Sequence, residues 1–87
     1  MKVENMTSSN GNKIPNQFYI EHNGTRWLQS YRSIIAQIDD DGGVTLDSRY
    51  WDYSTTTGKY RNQFLDETKK ETEAKIKSGE YKLANLN

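Results

Sequence analysis

The residues best suited to recognition chemistry lie together in Arg49-Tyr50-Trp51-Asp52-Tyr53 and Lys59-Tyr60-Arg61-Asn62-Gln63. Aromatic rings interleaved with Arg and Lys can stack on nucleobases and neutralise phosphates. The same residue types, Trp, Tyr and Arg, dominate the hot spots of protein–protein interfaces. A third reading is structural: Trp51 and Tyr53 plug a junction between sheet and helix, while the cations reach for water or pair with Asp47 and Asp52. The candidate binding residues are Arg49, Tyr50, Trp51, Tyr53, Lys59, Tyr60 and Arg61. Lys69 and Lys70 join the cations if the partner is a nucleic acid.

Catalytic and metal chemistry find less material. His22 is the single histidine. It flanks a tight turn, where an imidazole is solvated rather than buried and oriented for a Ser/His/Asp relay. With one His and no Cys, zinc lacks a ligand set and there is no thiolate nucleophile. Asp39-Asp40-Asp41-Gly42 invites a calcium reading. As an EF-hand loop, however, it would start at Gln37 and end at Ser48, where coordination requires Asp and Glu. It reads instead as a solvated hairpin tip. Gly42-Gly43 and Gly58-Lys59 lack the spacing of a phosphate-binding loop. No pair of carboxylates stands out among the twelve acids. The expectation is a binding protein, not an enzyme, with no cofactor and no metal.

The chain that positions these residues has 87 of them, enough for one domain. A domain this small buries only about 60–65% of the surface its unfolded form exposes. Twelve basic residues balance twelve acidic ones, which argues against a general attraction to phosphate backbones. The distribution is uneven: residues 31–58 carry two Arg against five Asp, and residues 59–87 carry seven Lys and Arg against five acids. Six Tyr, two Trp and two Phe serve either as a core of large rings or as anchors for a partner. The start, Met1 to Met6, has no apolar core of a secretory signal, and no apolar run is long enough to span a bilayer. The sequons at Asn5 and Asn23 then read as turn chemistry, and the absence of Cys fits a reducing compartment.

Residues 1–16 are polar, without a period, and are expected to form a flexible N-terminal arm outside a domain spanning 17–87. Gln17–His22 and Thr25–Tyr31 alternate as strands about Asn23-Gly24, the strongest short hairpin signal. That turn pairs His22 with Thr25, Ile20 with Trp27 and Phe18 with Gln29. Phe18, Ile20 and Trp27 are taken as the core face, leaving Tyr19 and Leu28 on the other. Ser33–Ile38 is a third strand burying Ile34, Ala36 and Ile38, and Val44–Asp47 a fourth. Ser54 caps a helix that turns Thr57, Tyr60, Phe64 and Leu65 to the sheet, weakened by Gly58. A second helix over 67–78 carries Glu71–Lys75 and Glu73–Lys77 pairs and ends at Gly79. Tyr81–Leu86 returns as a strand to the sheet edge, where it could pair with a second copy. The fold expected is α+β: an antiparallel meander of about four strands, two helices on one face, and a C-terminal strand.

The stretch Trp51–Leu65 resembles small proteins encoded by phages and other mobile elements of Gram-positive bacteria. In them a Phe-Tyr-Ile-Glu strand, a Gln-Ser-Tyr turn and a Gly-x-Tyr-x-Leu ending recur. Here these are Phe18–Glu21, Gln29–Tyr31 and Gly79–Leu83, so the resemblance covers residues 17–87. It implies an accessory gene product of a bacterial host cytoplasm and carries over no catalytic or binding residue. The expected function is docking on a host protein, as an inhibitor of a defence system would. The alternative is a nucleic-acid-binding accessory protein.

Overall fold

Asn23 and Gly24 take positive φ values, 51° and 83°, as a two-residue hairpin turn of the I′ kind requires. The register they set is the expected one, with His22 opposite Thr25, Ile20 opposite Trp27 and Phe18 opposite Gln29. The computed structural model describes all 87 residues. Its elements are β1 (Lys2–Thr7), β2 (Lys13–His22), β3 (Thr25–Ser30), β4 (Ser33–Ile38), β5 (Val44–Asp47), α1 (Thr55–Leu65), α2 (Lys69–Ser78) and β6 (Lys82–Ala84). The six strands form one sheet in chain order. Every neighbouring pair is antiparallel except β5 and β6, which run parallel across the two helices. The fold is α+β, and neither helix is long and apolar enough to cross a membrane.

Two expectations are corrected. Part of the segment read as a flexible arm is β1, paired with β2 from Lys2↔Glu21 to Thr7↔Lys13. Met6 of that strand is 7% exposed and belongs to the core. Polar composition hid it, because an edge strand needs few apolar residues when its partner supplies the backbone hydrogen bonds.

The second correction concerns the faces. Across the sheet, Tyr19, Leu28, Ala36, Leu46 and Leu83 stand in one row. Leu28, Ala36 and Leu46 are fully buried, and α1 lies across β3 and β4 on this side. The helices therefore cover the face of Leu28. Phe18, Ile20 and Trp27, read as core, lie on the other face and are half-buried. Their row continues from Trp27 into Gln37 and Thr45, so it is apolar only over β1–β3. Trp27 is fixed there by its indole N–H, which donates to Gln37 Oε1 at 2.9 Å. A bulge between β3 and β4 inserts Ile35, and Ile35 and Ala36 both join the core cluster. Ala36 and Ile38 are buried as expected, whereas Ile34 is only half-buried.

The helices are held by their ends as much as by packing. Ser54 Oγ accepts the Thr57 amide at 3.1 Å, and Asp66 closes α1 in the left-handed region. Thr57 and Tyr60 are buried toward the sheet, with Phe64 and Leu65 half-buried beside them. Thr68 and Glu71 form a reciprocal capping box on α2, and Gly79 caps its end at φ 86°. The expected Glu71–Lys75 pair is thereby replaced: Glu71 turns back to Thr68, and Lys75 bonds Glu67 at 2.8 Å. Glu73 and Lys77 form no ion pair either. Glu67, whose side chain is 4% exposed, also accepts from Tyr81 Oη at 2.7 Å and from Thr72 Oγ1. Burial pushes the Glu67 carboxyl up, but these donors outweigh it and hold it below its ordinary value.

Candidate functional site

The turn joining β3 to β4 is two residues long, Tyr31 and Arg32. Tyr31 occupies the left-handed region at φ 55°, which disfavours a residue with a bulky side chain by about 1–2 kcal/mol. Its backbone holds that geometry through two bonds: its amide donates to the Asn16 carbonyl at 2.6 Å, and its carbonyl accepts from Gln29 Nε2 at 2.8 Å. The result is a ring 61% exposed at the tip of a hairpin.

Facing this tip is the 48–54 loop, which runs from β5 into α1. Asp47 organises its start. The carboxylate is 1% exposed, and Oδ2 accepts the amides of Arg49 and Tyr50 at 3.0 and 2.8 Å. Oδ1 accepts the Leu86 amide and Asn87 Nδ2. Burial raises this carboxyl, and the four donors more than reverse the shift, leaving it below its ordinary value. The loop then carries Tyr50 half-buried and Tyr53 70% exposed, their rings 5.4 Å apart and tilted by 59°.

Between hairpin and loop lies a cavity of about 450 Å³ bordered by Tyr31, Arg32, Tyr50 and Tyr53. Ser30 and Thr57, both buried, bond each other at 3.2 Å and also line it. Thr57 Oγ1 accepts from Ser54 Oγ, so a chain of three hydroxyls ties β3 to the first turn of α1. Arg49 lies over the Tyr50 ring, 5.4 Å from its centroid. The arrangement offers rings, hydroxyls and the Arg32 cation around a concave space, the composition of a protein-recognition pocket.

The sequence candidates divide between this cleft and the interior. Tyr50 and Tyr53 are brought together at it, while Arg49 lies over the Tyr50 ring on the adjoining surface with Asn85 and Asn87. Lys59 is exposed on α1, its ammonium 5.7 Å from the Tyr60 ring centroid. Trp51 is half-buried and packs against the core. Tyr60 and Arg61 are 4% and 1% exposed, so the structure turns them to the interior and leaves little of either open to a partner. Helical spacing turns both toward the interior. Arg61 Nη1 donates to the Trp51 carbonyl at 2.8 Å and to Asp52 at 3.1 Å, and its guanidinium stacks 5.2 Å from the Trp51 ring. It is the peg that fastens the loop to α1. Asp52 in turn bonds Lys69 at 2.7 Å; burial raises its carboxyl, but Lys69 and Arg61 pull it below normal. Of the cations proposed for nucleic acid, Arg61 and Lys69 are thus engaged with Asp52.

Tyr31 and Arg32 were not among the sequence candidates: alternation put Tyr31 at the end of a strand, and the resemblance put it in a turn without a binding role. A usable signal was the two-residue spacing between Ser30 and Ser33 without the Gly or Asn that such a turn prefers.

An α+β domain with a tyrosine-lined cleft at one end of its sheet is the class defined by this geometry. The chain belongs to DUF8033, a family of unknown function, which it matches over residues 1–80. The match takes in residues 1–16, as the sheet does through β1. No curated protein and no solved structure matches the chain.

Proposed function

We propose that this protein is a docking module that binds another protein through the Tyr31–Tyr53 cleft and acts by covering part of its partner. The observation that carries the reading is Tyr31: a large exposed ring kept at a positive φ where Gly or Asn would fold more easily. Strain of this kind persists where the surrounding structure holds it, and it clusters at functional sites. Two exposed tyrosines beside a concave, hydroxyl-lined space also match the rigid amphipathic anchors of protein interfaces. The resemblance to small phage and mobile-element proteins gives this a setting, an accessory protein in a bacterial cytoplasm that inhibits a host defence component. The alternative, nucleic-acid binding, has fewer free cations to draw on, since Asp52 engages two of them.

The test is capture from bacterial lysate with tagged protein, with and without nuclease, in parallel with Tyr31→Ala and Tyr53→Ala. A protein retained after nuclease by the parent chain and lost by both variants supports the reading. Retention undiminished in both variants would move the interface elsewhere. Recovery of nucleic acid alone would transfer the function to the alternative.

A further inference from the structure

The charges around the cleft are not balanced locally, although the whole chain is neutral. Arg32 lines the cleft, and Arg49, outside that lining, lies over the ring of Tyr50; neither forms an ion pair. The two carboxylates nearest to Arg49 in sequence already have partners of their own. Asp47 is saturated by four donors, and Asp52 is bridged by Arg61 and Lys69. No acid lines the cleft. Asp39, Asp40 and Asp41 sit beyond the far end of β4 from Arg32, about 20 Å away at the rise of an extended strand.

We infer that the segment received by the Tyr31–Tyr53 cleft is acidic, with a carboxylate set against Arg32 and a neighbouring apolar side chain against the tyrosine rings. The inference rests on the docking function proposed above and specifies the partner's chemistry. The Arg32 guanidinium, without an internal partner, is free to form charge-assisted, bidentate bonds with a carboxylate. Rings at its side shield those bonds from water and accept an apolar residue. Complementarity of this type sets partner choice and encounter rate more than total affinity.

The experiment is a titration of the labelled protein followed by amide NMR, using the blocked peptide Ac-Glu-Leu-Asp-Phe-NH2 and its neutral counterpart Ac-Gln-Leu-Asn-Phe-NH2. The acidic peptide is expected to move the amides of Tyr31, Arg32, Tyr53 and Ser54 and to bind at least about tenfold more tightly than the neutral one, a difference of about 1.4 kcal/mol. The variant Arg32→Glu changes one exposed side chain of the cleft and should invert the preference toward Ac-Lys-Leu-Lys-Phe-NH2. Equal binding of acidic and neutral peptides at the same amides would overturn the charge inference and leave the docking function standing. Shifts confined to the open sheet face at Phe18, Ile20 and Trp27, or no shifts at all, would overturn both. Tighter binding of an octathymidylate strand at the cleft, or concentration-dependent shifts joining Arg32 to Asp39–Asp41, would assign it to nucleic acid or to a second copy instead.

Discussion

Asn87 pairs with Ile34 as a neighbouring strand would: its Oδ1 accepts the Ile34 amide at 2.7 Å and its Nδ2 donates to the Ile34 carbonyl at 3.0 Å. Strand β5 stops pairing with β4 at Ala36↔Leu46, which leaves the outward backbone groups of Ile34 without a strand partner. A carboxamide carries the same donor and acceptor as a peptide group and replaces it. The same Nδ2 also reaches Asp47 at 3.0 Å, joining the chain terminus to the loop that carries Tyr50.

Asp47→Ala should therefore destabilise the fold by about 3 kcal/mol, because three amides and one carboxamide lose a buried acceptor. Asn87→Ala should cost about 1 kcal/mol, or roughly 4–8 °C in Tm for a domain of this size. Asp40→Ala, at the exposed hairpin tip, serves as the control and should be near neutral. Thermal and urea unfolding would decide it; a loss at Asp47 no larger than at Asp40 would contradict the clasp.

Glu67→Gln should cost about 2 kcal/mol, since the buried carboxylate gathers charge-assisted bonds from Lys75 and Tyr81. The pH dependence has a defined sign. Asp47, Asp52 and Glu67 titrate lower in the folded chain than in the unfolded one. Their stabilisation is complete above the ordinary carboxylate range, about pH 4, and drains away as pH falls through the lower folded values. Lys75 is shifted upward, chiefly by its bond to Glu67, so its contribution holds below about pH 10 and is lost above. Stability measured against pH should show a plateau between these limits, with a shallower acid limb in the Glu67→Gln variant.

Tyr31→Asn separates folding from binding. Asn tolerates the left-handed region better than Tyr, so Tm should stay level or rise by a few degrees while partner binding falls at least about tenfold. A drop in Tm equal to that of a core substitution would show that the Tyr31 ring serves packing instead.

Gly58 and Arg61 make the opposite test. A Cβ on Gly58 would meet Arg61 Nη2 at 3.6 Å, ordinary contact, and its φ is not positive. Gly58→Ala should stabilise α1 by about 0.5–1 kcal/mol. Arg61→Ala should destabilise by about 2–3 kcal/mol, less than a fully buried pair costs because Asp52 keeps Lys69. Per folded molecule, partner binding by Gly58→Ala, away from the cleft, should be unchanged.

The hairpin register, the Ser54 cap and the Gly79 terminator were legible because each follows from local backbone chemistry. The choice of sheet face was not. Phe18, Ile20 and Trp27 are as apolar as Tyr19 and Leu28, so alternation alone gave two equivalent answers. What decides it is the row Leu28–Ala36–Leu46, which becomes visible only after the Ile35 bulge and the β4–β5 pairing are known. Tyr50 and Tyr53, singled out by their type, stand together at the cleft. Tyr60 and Arg61 misled because the residue types that anchor partners also anchor loops. Gln17 shows the same limit inside the core: it is 1% exposed with neither end of its amide bonded to protein, and no polarity pattern would have placed it there.

The parallel pairing of β5 with β6 bears on how the molecule assembles. Each pairing from β1 to β5 closes across a connection of two or five residues, so these hairpins pay little loop entropy and can zip in series. The last strand must wait until both helices have been crossed. Three residues long and exposed throughout, it has the least to hold it. Backbone amides of Lys82–Ala84 and of the Asn87 clasp should exchange with solvent through a local opening, while those of β3 and β4 exchange only on global unfolding.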